Sequence, residues 1–121
     1  MRMLSVTIMA LAATLGLTAL AQEPRVTAKE IQETWVGKTL VGTTASGASA
    51  TMTLGSDGTA RLAAGNTKDS GTWRLSEQGY CTTWKNIRAG QERCFTVRRT
   101  GNTMDVLNPD GSLSGQFNEI K

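Results

Sequence analysis

Residues 79–97 read GYCTTWKNIRAGQERCFTV, and the two cysteines in this run set the register of everything around it. Apolar and polar residues alternate on both sides of a central loop at 86–89, the pattern of two antiparallel strands joined by a hairpin. If Cys81 and Cys94 face each other directly, Tyr80 lies across from Phe95, Thr82 from Arg93, and Trp84 from Gln91. The apolar members place this row inside, together with Val97, and leave the disulfide on the outer face. A structural bridge is the expected state of the pair. The spacing is far from C-x-x-C, and the chain has no histidine to complete a metal site. A loop this short, once closed, stabilises the fold by roughly 3 kcal/mol in the chain-entropy model.

The same period of two continues on either side. Strands are expected near 39–43, 48–54, 59–63, 71–75, 79–85, 91–99, 103–107 and 113–120. In the fourth, Trp73 and Leu75 share one face, and Thr72 and Arg74 the other. Ser56-Asp57-Gly58, Thr100-Gly101-Asn102 and Pro109-Asp110-Gly111 mark turns, and residues 64–70 read as the longest linker. Eight short strands with short connections are neighbours in an antiparallel meander. Closing that meander removes its edges, so the expected fold is all-β, an eight-stranded, small lipocalin-like barrel. A partly open sandwich is the runner-up.

Ahead of the strands, Gln22 to Val26 reads as a polar lead. Thr27-Ala28-Lys29-Glu30 fits a capping box, and a helix from about 28 to 34 follows, with Ile31 and Trp35 on one face and Gly37 after its end. This helix plugs or flanks one end of the barrel. Upstream, a basic start at Arg2, an apolar run from Leu4 to Leu20 and Ala19-Leu20-Ala21 make a signal peptide at 1–21, with cleavage after Ala21. The remaining 22–121 form one barrel domain of 100 residues, whose formal charge falls from +3 to +2. No cysteine follows the apolar run to take a lipid. The chain therefore reads as periplasmic or secreted, with no stable membrane anchor after cleavage.

The composition excludes several chemistries. Without histidine there are no His-based triads and no His-ligated metals. A weak positive charge gives no argument for nucleic acid as a partner. Asp57, Asp69 and Asp110 read as turn formers, no two carboxylates are spaced as an acid/base pair, and Ser70 and Ser114 lack a base. No glycine motif cradles a phosphate. The expectation is a protein that is not an enzyme and needs no cofactor or metal.

The candidate ligand-binding residues are Tyr80, Thr82, Trp84, Arg93 and Phe95. Arg93 falls on the inner face near the open end, where a guanidinium beside an indole would hold an anionic or planar ligand. The preferred reading is plainer: its stem packs on Trp84 and its head reaches water. Lys85, Arg88, Arg93, Arg98 and Arg99 form a locally basic stretch, either a docking patch or, as preferred, an ordinary solvated hairpin. Residues 43–50 (TTASGASA) are a lip at the mouth, a loop for a partner's cleft, or simply a mobile hairpin, the last being preferred.

Taken in order, Gly37-Lys38-Thr39-Leu40-Val41-Gly42, Ser56-Asp57-Gly58-Thr59, Asp69-Ser70-Gly71-Thr72-Trp73, Gly79-Tyr80-Cys81-x-x-Trp84, Cys94-Phe95-x-Val97 and Asp110-Gly111 resemble a family of small exported proteins of Gram-negative bacteria, a domain of unknown function. The resemblance spans almost the whole mature chain. It implies a lipocalin-like outline and an envelope or secreted role in host-interacting bacteria, and it brings no catalytic residues. Two functions remain: a periplasmic binding protein for an unknown small ligand inside the barrel, or a protein-interaction module such as an inhibitor of an envelope or host hydrolase.

Overall fold

From residue 39 onward the alternating sequence forms eight strands, each antiparallel to the next, and the last returns to the first. They are β2 (Thr39–Thr44), β3 (Ser49–Leu54), β4 (Thr59–Ala64), β5 (Thr67–Leu75), β6 (Gly79–Trp84), β7 (Arg93–Thr100), β8 (Thr103–Leu107) and β9 (Leu113–Ile120). Pairing of β9 with β2, from Thr44↔Gly115 to Leu40↔Ile120, closes the barrel. This is the closed form of the expected meander; an open sandwich would have left that seam unpaired. The computed structural model describes residues 24–121, so the expected signal peptide at 1–21 lies outside the described residues.

The period-two pattern sorts the side chains. Leu40, Met52, Leu54, Ala60, Tyr80, Trp84, Phe95, Val97, Val106 and Phe117 form the buried interior. Closure of so narrow a barrel depends on strands passing close together. At Gly42 and Gly71 an added Cβ would stand 1.8 Å from the Gln116 carbonyl oxygen and 2.0 Å from that of Thr83. Only a residue without a side chain permits that approach, and these glycines act as corners where the sheet coils.

The helix α1 (Ala28–Thr34) covers one end, as its amphipathic pattern requires. Ile31 and Trp35 are both 0% exposed. Half of the capping box forms: the Thr27 hydroxyl accepts the Glu30 N–H at 3.2 Å. The Glu30 carboxylate does not reach back to Thr27, because it pairs with the Arg99 guanidinium of β7, a stronger, charge-assisted partner.

Three expectations need correction. The polar lead contains a short strand, β1 (Arg25–Val26), which pairs with Val97 and Arg98 of β7 just past the Gly79↔Thr96 pair at the start of β6. Val26 supplies the reason, since it is buried. The supposed linker at 64–70 is a tight hairpin, with Ala64 opposite Thr67. Gly65 (φ 59) occupies the first central position, which a type II′ turn reserves for glycine. The third correction concerns the hairpin of β6 and β7, whose ladder runs through Tyr80↔Phe95, Cys81↔Cys94 and Thr82↔Arg93 as expected and then stops. Trp84 pairs with Gly71 of β5 and not with Gln91.

Cys81 and Cys94 are bonded, on the outer face. Above them Arg74 holds Glu92 through two hydrogen bonds, of 2.9 and 3.0 Å. Replacing both cysteines by serine is expected to cost about 3 kcal/mol, with the thermal midpoint falling by roughly 12–24 °C. Circular dichroism melting of the double variant checks this. An unchanged midpoint would mean that the closed loop contributes nothing to stability.

Candidate functional site

The open end of the barrel is organised by an aspartate on β5. Asp69 stands in register with the inward residue Leu62, and its carboxylate accepts the N–H groups of Ser70 at 2.8 Å and of Asn86 and Ile87, both at 2.9 Å. These donors, that of Ile87 foremost, hold its carboxyl below the usual carboxylate range. Asp69 is therefore an anchor within a strand and not the turn former expected from sequence. Its grip bends the chain as it leaves β6 and explains why the β6–β7 ladder ends early.

The bent segment is a short 3₁₀ turn, Ile87–Gly90. Arg88 (φ 56) and Ala89 (φ 53) both adopt the left-handed conformation. Each such residue costs on the order of 1–2 kcal/mol, so the surrounding contacts must impose it. The outcome is that Arg88 points into the barrel. Its Nη2 donates to the Thr82 hydroxyl at 3.3 Å, and the guanidinium carbon lies 5.5 Å from the centre of the Phe95 ring. Its Nε is buried and has no hydrogen-bond partner.

Arg88 faces a cavity of about 110 Å³. Tyr80, Phe95, Phe117 and Trp84 give it aromatic walls, Met52, Leu62 and Val106 aliphatic ones, and Thr43, Thr44, Thr82 and Ser114 hydroxyls. Below it Trp35 packs against Tyr80 and Phe117, with ring centres 5.6 and 5.7 Å apart, so aromatic residues fill the closed half of the barrel and leave the open half partly empty. The ion pairs of the described residues are Lys29–Glu33, Arg74–Glu92 and Arg99–Glu30. None of them neutralises Arg88. Burial, assisted by the nearby charge of Arg93, draws its pKa down, yet a guanidinium stays charged at neutral pH.

Four of the five residues expected from the sequence, Tyr80, Thr82, Trp84 and Phe95, line this cavity. Arg93 does not. It stands at the mouth, where its Nη1 donates to Asn108 Oδ1 at 3.3 Å, and Arg88 supplies the inward cation instead. The basic stretch disperses in the same way. Arg88 enters the barrel, Arg99 ties β7 to Glu30 and to the Arg25 carbonyl, and Lys85 and Arg98 are exposed. The hairpin at 43–50 is short and internally bonded: Thr44 exchanges hydrogen bonds with Ala48, its carbonyl accepts the Gly47 N–H, and Ala45 N–H donates to the Ser114 carbonyl.

Other features are less well formed as sites. Open grooves of about 530 and 460 Å³ cross the outer face of β3–β6 beside Arg61, Lys68 and Lys85, but neither encloses a molecule. Cys81, Cys94 and Glu92 bring potential ligand atoms within 4.8 Å of one another. There the sulfurs are spent in the disulfide and the carboxylate in its pair with Arg74.

The phenol of Tyr80 provides a probe of the interior. Burial pushes its pKa well up, against a smaller opposing pull from Arg88. A raised folded-state pKa means that the stability it confers is complete below the unfolded value, about 10, and is lost as the pH rises beyond it, at about 1.4 kcal/mol per pH unit. Tyr80 is the single tyrosine of the chain. Phenolate absorbance is therefore expected to appear only as the barrel unfolds, and Tyr80→Phe to move alkaline unfolding to higher pH. Free titration near pH 10 in a folded barrel would contradict the buried placement.

In comparisons with family models, curated proteins and solved structures, nothing matches this chain.

Proposed function

We propose that this chain is an exported, non-catalytic binding protein that holds a small organic molecule in the open half of its barrel. The observation that carries the reading is the cavity of about 110 Å³ walled by Tyr80, Trp84, Phe95 and Phe117. Apolar walls with a few placed polar groups are the usual make-up of a ligand site. The volume suits a molecule of about six non-hydrogen atoms and is too small for a drug-sized one. Among the described residues the lining contains no carboxylate or imidazole that would serve as general acid or base. Export is supported by the leader at 1–21, by the disulfide, which suits an oxidising compartment, and by the resemblance to an exported family.

The alternative, an interaction module acting through the 43–50 hairpin or the basic hairpin tip, has less support. The tip turns Arg88 inward, and Arg93 is engaged by Asn108. Native mass spectrometry of the mature protein, purified gently from the exported fraction, tests the proposal. A reproducible excess mass of a small molecule that disappears on unfolding is the expected result. A bare mass, two hydrogens below that of the reduced chain, would favour a protein acting through its surface.

A further inference from the structure

We infer that the occupant of the barrel is a compact carboxylate monoanion with a short apolar body, its carboxylate accepting from Arg88 and Thr82 and its body lying against Trp84, Phe95 and Phe117. This deepens the interior-binding reading and rests on it. Three observations point to this ligand class. The first is charge. Arg88, half-buried, brings its cation to a cavity that has no carboxylate in its lining among the described residues, and a partly desolvated charge is stabilised when an anion joins it. The second is the orphaned donor, since Nε of Arg88 is buried without an acceptor. A buried N–H left unpaired is costly, and a carboxylate oxygen beside it would remove that cost. The third is the left-handed pair Arg88–Ala89, strain spent on holding the guanidinium inside the barrel when an extended tip would place it in water.

The remaining walls narrow the class further. A phosphate dianion or sulfate would require more than one guanidinium and more polar lining, whereas most of the surface facing the cavity is aromatic or aliphatic. The space admits about six non-hydrogen atoms, which suits propionate or butyrate and excludes a long-chain fatty acid.

Isothermal titration with acetate, propionate, butyrate and decanoate, each short acid paired with its neutral amide, tests the inference on the mature protein with its disulfide intact. Butyrate is expected to bind at least about tenfold more tightly than butyramide. Arg88→Gln is expected to bring the two within twofold of each other, and Thr82→Val, which leaves the tip untouched, to weaken butyrate by a smaller factor. Circular dichroism of both variants establishes that they are folded. Equal binding of acid and amide would overturn the carboxylate assignment while leaving interior binding in place. Butyrate affinity that survives Arg88→Gln but falls in Arg61→Gln or Lys85→Gln would move the anion to the outer groove and overturn it as well. If neither partner of any pair binds, and xenon does not enter the barrel, both the assignment and the interior reading fail.

Discussion

Trp35→Ala is expected to lower the free energy of unfolding by about 3–5 kcal/mol, the range for truncating a fully buried tryptophan. Trp35 follows α1 directly and is 0% exposed. Its ring meets Tyr80 and Phe117 edge to face. The helix itself has seven residues, too few to be stable without tertiary packing. Ile31 and Trp35 are therefore what holds it against the barrel, aided by the Glu30–Arg99 pair at the margin. Removing the indole also undercuts Tyr80 and Phe117, which form part of the cavity's lining. Denaturant titration of the variant measures the loss. A cost below about 1 kcal/mol would mean that the helix does not close the barrel.

Gly71→Ala is expected to be comparably damaging, at about 3 kcal/mol or more, the upper end of what overpacking a tight site costs. The new Cβ would lie 2.0 Å from the Thr83 carbonyl oxygen and 2.9 Å from the Trp84 Cα. Both are backbone atoms of the neighbouring strand, so no side chain can swing aside to relieve the clash. Strands β5 and β6 must separate at Gly71↔Trp84, which displaces an aromatic wall of the cavity as well as weakening the ladder. Thr72→Ala, one residue on and exposed, is the control and should change stability by no more than about 0.5 kcal/mol. If both variants melt alike, the close approach of the two strands is not what closes the barrel.

Much of this architecture could be read in advance because its causes are local. Period-two alternation sorted the faces of the eight barrel strands, and α1 runs over the residues its cap and apolar spacing implied. The pairing of Cys81 with Cys94 set the register of β6 and β7 and with it the inward placement of Tyr80, Thr82 and Phe95. What could not be read depends on contacts distant in sequence. Arg88 enters the barrel because Asp69, 17 and 18 residues before its partners Asn86 and Ile87, captures their N–H groups. Nothing in Asn86-Ile87-Arg88-Ala89 marks two consecutive left-handed residues, and Gly90 is the only one with a free conformational choice.

Two other differences do have local signals in the sequence. Val26 is a buried aliphatic residue inside a polar lead, and β1 forms around it. Gly65-Asn66 repeats the dipeptide of the Thr100–Thr103 turn and makes the same kind of two-residue hairpin. The polar run Lys68-Asp69-Ser70 after it gave the appearance of a loop. In a strand whose inner face lines the mouth of a barrel, polar residues are as suitable as apolar ones, and that weakens alternation as a guide there.

The most direct test of the account is an NMR titration of the isotopically labelled mature protein with butyrate, following the side-chain Nε–H of Arg88 and the indole N–H of Trp84. The account predicts that the Arg88 resonance moves downfield and exchanges more slowly with water as its orphaned donor gains an acceptor. Trp84, Phe95 and Phe117 shift with it, and Arg61, Lys68 and Lys85 stay in place. An Arg88 signal that is already in fast exchange with solvent and does not respond, while surface lysines and arginines shift together, would contradict it.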